Sequence, residues 1–166
     1  AYGGMGGHSV GVADVDGDGR DEIIYGSMAI DDNGNGLWQN GTHHGDAYHV
    51  SDLVPSNDGL EVFKPSESGS DPAHWVADAA TGQILSSAAP AGTDNGRGVA
   101  ADVTADNPGA EVWSSKVSGL RSATDGSEVG SPTVVVSSGA VPVPSDAEAA
   151  QAPSFAMTAT DVRRFL

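Results

Sequence analysis

An internal repeat is the feature of this sequence that most constrains its fold. In each repeat, small and apolar residues lead into an aspartate, a polar loop with glycine follows, and a glutamate opens an apolar segment. Three stretches share this pattern: SVGVADVDGDGRDEIIYG (9–26), AYHVSDLVPSNDGLEVFK (47–64) and GVAADVTADNPGAEVWSS (98–115). A period of roughly 40 to 50 residues is typical of arrays built from small supersecondary units. We therefore expect one such unit to occur three times.

Each repeat carries a second turn after its acidic loop. The segments AIDDNGNGLWQ (29–39), WVADAATGQIL (75–85) and LRSATDGSEV (120–129) contain Asn-Gly, Thr-Gly and Asp-Gly between strand-like flanks. Such dipeptides between apolar runs predict β-hairpins. Each unit then holds four short strands, which is the content of a β-propeller blade. Because propellers close at roughly four blades or more, three blades alone would leave sheet edges exposed. We expect further blades in the natural protein, or partner chains, to complete the ring.

The composition agrees with an all-β chain of short segments. The 166 residues suffice for one ordinary domain and include 23 glycines and 9 prolines, with only 5% aromatic residues. The chain has no cysteine, which excludes disulfides and thiolate metal sites. No apolar run approaches the roughly 20 residues that span a bilayer. Residues 1–10 lack the basic start and apolar core of a signal peptide.

The charge excludes two classes of partner. The chain carries 23 acidic against 7 basic residues, a formal net charge of -16. Like charge repels at long range, so nucleic acid and anionic membrane surfaces are not expected partners. Bound divalent cations would relieve the repulsion within the chain itself.

The repeats end near residue 130, and the sequence predicts two regions. Residues 1–130 are predicted to be a partial β-propeller of about three blades. Residues 131–166 show no repeat and are rich in alanine, proline and serine, a composition that indicates a flexible tail.

The segment VADVDGDGRDEII (12–24) predicts a calcium loop. Carboxylates at positions 1, 3 and 5, a carbonyl at 7 and a glutamate at 9 offer oxygens to a hard cation. An EF-hand would require its glutamate at position 12, which is Tyr25 here, so a calcium-binding β-hairpin turn is favoured. The alternative is a solvated acidic turn, in which close carboxylates would repel one another. The candidate ligands are Asp14, Asp16, Asp18, Arg20 and Glu22.

The corresponding loops of the second and third repeats are weaker calcium candidates. Each keeps its first aspartate and its glutamate, but position 3 is Val54 or Thr104, for which Asp58 or Asp106 would have to compensate. The alternative for both loops is a hairpin held by ordinary Asx hydrogen bonds. The candidate ligands are Asp52, Glu61, Asp102 and Glu111.

Unusual residues also precede each loop. His8 lies six positions before the first loop aspartate, Asp46 lies six before the second, and His44 lies two before Asp46. Even spacing places such residues on one face of a regular strand, and corresponding positions of neighbouring blades lie side by side, which predicts a metal or catalytic site. Arg97 occupies a similar place in the third repeat. The alternatives are hydrogen-bonded structural histidines, an interpretation that also applies to His43, His49 and His74, and a structural ion pair of Arg97.

Four motifs in this order and spacing resemble the rhamnogalacturonan lyases of polysaccharide lyase family 11. They are VADVDGDGRDEIIYGSMAIDDNGNGL, HHGDAYHVSDLVPSNDGLEVF, DAATGQIL and DNGRGVAADVTADNPGAEVW. The resemblance covers residues 4–130 and implies part of an eight-bladed, calcium-binding β-propeller. It implies a secreted enzyme that acts on rhamnogalacturonan I of pectin, breaking the rhamnose–galacturonate bond by β-elimination. The remaining blades are absent, so we expect a fragment or a truncated reading frame.

The resemblance also implies roles for individual residues. His8, His44, Asp46 and Glu67 would ring an active-site calcium ion that meets the substrate carboxylate. Arg97 would act as a charge neutraliser or as the base, although an arginine base is unfavourable because of its very high pKa. Two alternatives remain: a non-catalytic, calcium-stabilised propeller module for adhesion or carbohydrate binding, and a structural remnant with neither activity nor partner.

Overall fold

The computed structural model describes residues 3–130 and is all-β. The predicted tail at 131–166 lies outside the described residues. No helix within residues 3–130 is long and apolar enough to cross a membrane. The strands are β1 (Gly11–Ala13), β2 (Glu22–Ile24), β3 (Met28–Ile30), β4 (Gly36–Gln39), β5 (His49–Ser51), β6 (Glu61–Pro65), β7 (His74–Asp78), β8 (Ile84–Ser87), β9 (Gly98–Ala101), β10 (Glu111–Ser114), β11 (Val117–Ser122) and β12 (Glu128–Gly130).

The strands form three antiparallel four-stranded sheets, one for each sequence repeat. The first sheet has the order β1-β2-β3-β4, the second β5-β6-β7-β8 and the third β9-β10-β11-β12. Every neighbouring pair within a sheet is consecutive in the chain, so each sheet is a simple meander. The predicted hairpins are β3–β4, β7–β8 and β11–β12. The prediction of four short strands in each repeat is confirmed.

Two apolar layers join the sheets, and the second sheet contributes to both. Successive side chains of its strand β6 point to opposite faces of the sheet, and both faces are buried. Val62 packs with Ile24 and Trp38 of the first sheet. Its neighbour Phe63 packs with Ala100 and Val112 of the third sheet. The three sheets are therefore stacked in sequence order.

One type of hydrogen bond recurs between successive sheets. The indole Nε1 of Trp38, on β4, donates to the carbonyl of Ala79, which follows β7, over 2.7 Å. The hydroxyl of Ser86, on β8, donates to the carbonyl of Ala123, which follows β11, also over 2.7 Å. The last strand of each sheet thus holds the turn between the third and fourth strands of the next.

The segments that lead into the first strand of each sheet also meet. Gly7 and Gly45 form an isolated parallel bridge, and the amide of His8 donates to the carbonyl of Gly45 over 3.4 Å. His8 lies before β1, and the 44–46 segment lies before β5. The interpretation that these side chains share the face of regular strands is therefore wrong. They are brought together because the entry segments of two adjacent sheets run alongside each other.

Candidate functional site

The structure brings His8, His44, Asp46 and Glu67 into one cluster, which we call the entry cluster. One nitrogen or oxygen atom of each side chain lies within 4.8 Å of those of the other three. His8 is exposed and the other three are half-buried. Glu67 follows β6, and its amide donates to the carbonyl of His44 over 3.1 Å. This backbone hydrogen bond places the glutamate beside the histidine.

Ion pairs and a ring contact link the entry cluster. His8 Nε2 lies 3.3 Å from Asp46 Oδ1, and His44 Nε2 lies 3.5 Å from Glu67 Oε1. The two imidazole rings meet edge to face with their centroids 4.8 Å apart. Arg97, just before β9, places a guanidinium nitrogen 2.7 Å from Asp46 Oδ2. All three sheets thus contribute through their entry segments, and all five residues singled out here from the sequence meet.

The two carboxyl groups of the entry cluster titrate differently. A hydrogen bond between Asp46 and Glu67 lowers the pKa of Asp46, and the positive charge of Arg97 lowers it further. The same hydrogen bond raises the pKa of Glu67, as does partial burial. Two carboxyl groups held side by side repel each other when both are charged, and their pKa values move apart in this way. A divalent cation between the two carboxylates would relieve their repulsion.

The donor set of the entry cluster fits a divalent cation. Two carboxylates supply the oxygen atoms that calcium prefers, and two imidazoles add nitrogen atoms that suit transition metals better. The roles of these side chains as metal ligands remain a prediction, as does the role of Arg97 in catalysis.

The acidic loop between β1 and β2 is ordered by its own hydrogen bonds. Asp14 accepts the amides of Gly17 and Gly19, over 2.8 and 3.0 Å. Asp18 accepts the amide of Arg20 over 2.9 Å. The Arg20 guanidinium lies 2.7 Å from Asp32, and this hydrogen bond lowers the pKa of the Asp32 carboxyl. The sequence proposed the carbonyl of Arg20 as a ligand but did not indicate this ion pair.

Two further carboxylates join this loop from the β3–β4 turn. Asp31 groups with Asp16 and Glu22, and Asp32 groups with Asp18 and Glu22. The sequence predicted only a hairpin for the turn DDNGNG (31–36). Its paired aspartates directly after an apolar strand were a signal that could have added them to the ligand set.

Glu22 supplies an observation that points to a cation. The side chain is fully buried, and its Oε2 accepts the amide of Val15 over 2.8 Å. Its Oε1 is buried and has no hydrogen-bond partner among the described residues. A buried polar atom without a partner is costly. A cation among the carboxylates of Asp16, Asp18, Asp31 and Asp32 would satisfy it.

The corresponding glutamates of the other two sheets are already satisfied. Glu61 Oε2 accepts the amides of Leu53 and Val54, and its Oε1 accepts the side-chain amide of Asn57 over 2.8 Å. Glu111 accepts the side-chain amide of Asn107 over 2.8 Å. Both asparagines lie four residues before their glutamate, and so does Asp18 in the first loop.

The geometry therefore gives no support to calcium at the second and third loops. No group of three potential ligands within residues 3–130 includes any of their predicted ligands, Asp52, Glu61, Asp102 and Glu111. The physical reason is that an asparagine amide donates to the carboxylate oxygen that a cation would otherwise bind. Hydrogen-bonded hairpin turns, the alternative considered for these loops, account for the observed contacts.

Comparison with known proteins identifies the family. Residues 1–146 match the model of "Rhamnogalacturonan lyase family 11, C-terminal domain", so the match continues past residue 130. The rhamnogalacturonan exolyase YesX of Bacillus subtilis strain 168 is 54% identical over 114 residues, covering 68% of this chain and 18% of that protein. The rhamnogalacturonan endolyase YesW of the same strain is 51% identical over a segment of the same length. This chain thus spans about a fifth of the length of either relative.

Solved structures agree with this assignment. The crystal structure of rhamnogalacturonan lyase YesW superposes with a TM-score of 0.72 and 49% identity, covering 77% of this chain and 21% of that one. The lyase of Bacillus licheniformis also superposes with a TM-score of 0.72 and 49% identity, and 78% of this chain is covered with 22% of that one. This chain therefore belongs to rhamnogalacturonan lyase family 11, and its residues 1–146 match the family's C-terminal domain.

Proposed function

We propose that this chain is part of a rhamnogalacturonan lyase that cleaves the rhamnose–galacturonate bond of the pectin backbone by β-elimination outside the cell. The observation that carries the proposal is the entry cluster with Arg97, which lies in a chain about half identical to two rhamnogalacturonan lyases. Because one relative is named an exolyase and the other an endolyase, the similarity does not favour either mode of attack.

The reaction removes a proton that is only weakly acidic. In β-elimination a base takes the C5 proton of galacturonate and the C5–H electron pair forms the C4–C5 double bond. The C4–O bond breaks, and the departing sugar keeps its oxygen, which takes up a proton. The negative charge of the adjacent carboxylate opposes loss of the proton. A calcium ion in the entry cluster would neutralise that carboxylate and stabilise the charge that develops next to it.

Arg97 supplies a second positive charge at the same place. Its guanidinium is exposed and lies against Asp46, so one edge is held while the other can meet a substrate carboxylate. Arginine stays protonated in proteins and binds carboxylates through paired hydrogen bonds. We therefore assign Arg97 to charge neutralisation and substrate orientation.

Turnover tests the proposed activity. Incubation of the chain with rhamnogalacturonan and calcium should release unsaturated products that absorb in the ultraviolet. His44→Ala and Arg97→Ala should lose this signal while far-UV circular dichroism stays unchanged. A folded wild-type chain that gives no absorbance change would reject the activity for this chain. If calcium then stabilises the wild type and the two variants equally, the non-catalytic binding module is favoured.

We also propose that the three sheets are blades of a β-propeller. Three meander sheets stacked in sequence order support this architecture. The outer faces of the stack carry exposed apolar residues, Val12 and Ile23 on the first sheet and Val99 on the third. Further sheets on either side would cover them.

A calcium ion in the first acidic loop is a separate proposal, supported by the unpartnered oxygen of Glu22. Calcium should raise the melting temperature of the wild-type chain. Glu22→Gln should remove a large part of that rise. The matched control is Glu61→Gln, which loses hydrogen bonds and should lower the melting temperature with and without calcium. If Glu22→Gln keeps the full calcium-dependent rise, the site is not in this loop.

A further inference from the structure

Lys64 is a fully buried lysine in the middle of the second sheet. It lies on β6 with a relative exposure of 0%, and its Nζ lies 5.5 Å from the centroid of the Trp75 ring. Among residues 3–130 it forms no ion pair. Burial of a cation without a carboxylate in direct contact is costly, and an apolar side chain would be less so. The more distant charges of Asp71 and Glu67 favour the protonated form only in part. Packing alone therefore does not explain why residue 64 is a lysine.

The Lys64 ammonium group meets the backbone that carries the entry cluster. Nζ donates to the carbonyl of His43 over 2.7 Å. Burial lowers the pKa of Lys64 to about 8, so the group is still mostly protonated at neutral pH. The next residues along the chain are His44, Gly45 and Asp46, two of which belong to the cluster.

Other buried groups hold the same short segment. The hydroxyl of Ser27 donates to the His43 carbonyl over 3.0 Å, and Asp71 accepts the amide of His43 over 2.7 Å. Gly45 packs so closely that an added Cβ would lie 2.4 Å from the carbonyl oxygen of Pro65 and 2.8 Å from Cε of Lys64. The backbone is thus fixed on both sides of His44.

We propose that Lys64 is a positioning residue for the entry cluster. Its hydrogen bond to the His43 carbonyl sets the path of the backbone that follows. That path directs His44 toward Glu67, and it directs Asp46 toward His8 and Arg97. The inference rests on the proposed function only for the use of the cluster; the positioning itself rests on the hydrogen bonds and packing around His43 and Gly45.

The first test needs neither metal nor substrate. The change is Lys64→Met, which keeps length and removes the donor. The matched control is Lys116→Met, at an exposed lysine in the turn between β10 and β11. In Lys64→Met we expect the nuclear Overhauser contact between the His8 and His44 rings to vanish and the His8 amide to exchange at least about tenfold faster. Lys116→Met should change neither. If both signals persist in folded Lys64→Met, the proposal is wrong.

The second test links positioning to the proposed function. Calcium binding at the cluster is followed through the ring resonances of His8 and His44, and turnover through ultraviolet absorbance. Lys64→Met should bind calcium about tenfold more weakly and lose turnover in proportion, and Lys64→Arg, which keeps a donor, should recover part of the affinity. If the wild-type chain binds no calcium at the cluster, the proposed metal site is wrong. The contact between the His8 and His44 rings then still tests the positioning role of Lys64.

A milder pair of variants decides the question if Lys64→Met does not fold. Ser27→Ala removes the second donor to the His43 carbonyl. Ser86→Ala removes a buried serine that donates to the Ala123 carbonyl on another sheet. Both should cost similar stability, but only Ser27→Ala should weaken the ring contact and speed exchange of the His8 amide. Equal behaviour of the two variants would overturn the proposal.

Discussion

At the scale of single residues, one side chain decides whether the loop glutamate of each sheet finds a hydrogen-bond donor. Four residues before the loop glutamate, the first sheet has Asp18, the second Asn57 and the third Asn107. The two asparagines donate to their glutamates, whereas an ionised aspartate has no hydrogen to donate. Glu22 is therefore the only one of the three glutamates left with an unpartnered oxygen within residues 3–130.

Asn57→Asp should turn the second loop into a cation site. The Asn57 amide bridges Glu61 and Asp78, which face each other across β6 and β7. Replacing it leaves three carboxylates together, so without calcium we expect a loss of about 1–3 kcal/mol in the free energy of unfolding. Calcium should restore much of that loss, measured by denaturant unfolding with calcium and with a chelator.

The matched control for this prediction is Asn107→Asp in the third loop. There the residue opposite Glu111 is Ser122, so the substitution assembles only two carboxylates. It should be destabilising in both conditions, with little recovery in calcium. Equal recovery in the two variants would show that the facing aspartate is not what completes the site.

His74 should make stability depend on pH. Burial lowers the pKa of this histidine from 6.5 to about 4, and its Nδ1 lies 2.8 Å from the hydroxyl of Ser114. The unfolded chain binds a proton below about pH 6.5 that the folded chain refuses until about pH 4. Stability from this group is therefore complete above pH 6.5 and is lost as the pH falls toward 4, by about 3 kcal/mol.

The measurement compares wild type with His74→Gln across this pH range by denaturant unfolding. The variant loses the buried hydrogen bond but does not titrate, while the carboxyl groups common to both chains cancel. The advantage of wild type should therefore shrink as the pH falls from 7 to 4. A constant difference would show that His74 is not buried in its neutral form.

At the scale of elements, contacts at the ends of strands join one sheet to the next. Trp38 and Ser86 each reach a carbonyl that follows the third strand of the neighbouring sheet. The hairpins themselves could be predicted because Asn-Gly, Thr-Gly and Asp-Gly act within a few residues. These cross-sheet hydrogen bonds could not, since residues 38 and 79 approach only once the sheets stack.

Trp38→Phe should measure the worth of one such contact. Phenylalanine keeps most of the apolar volume but leaves the buried Ala79 carbonyl without its donor, so we expect a loss of about 1–3 kcal/mol in the free energy of unfolding. Trp113→Phe is the control, at a half-buried indole on β10, and should cost less. Similar losses in denaturant unfolding would mean that volume matters and the hydrogen bond does not.

At the scale of the whole molecule, the stack of sheets carries an uncovered apolar face. Val12 is 62% exposed and Ile23 44% exposed, and they face each other across β1 and β2. Contiguous exposed apolar residues favour association. In the second sheet the two faces are covered by its neighbours, so the first sheet has a surface suited to the same kind of contact.

The double variant Val12→Thr/Ile23→Thr should therefore reduce self-association of the chain. Threonine keeps the β-branched shape that suits a strand and lowers apolar area. Sedimentation velocity at increasing concentration should show a higher average mass for wild type than for the variant. The control is Gln39→Thr, at an exposed residue of β4. Wild type that stays monomeric at high concentration would contradict the expectation.

The sequence alone determined the repeat, the four strands of each unit and the residues that form the entry cluster. The repeat and the strands follow from turn dipeptides and motif spacing, which act locally or repeat along the chain, whereas Glu67 of the entry cluster was assigned only through the family resemblance. Only the tertiary structure decided that Asp31 and Asp32 join the first loop, that Asn57 and Asn107 satisfy the other two, and that Lys64 lies beneath His43. Each depends on which buried polar atoms meet a partner after distant segments pack, and spacing along the chain does not encode that.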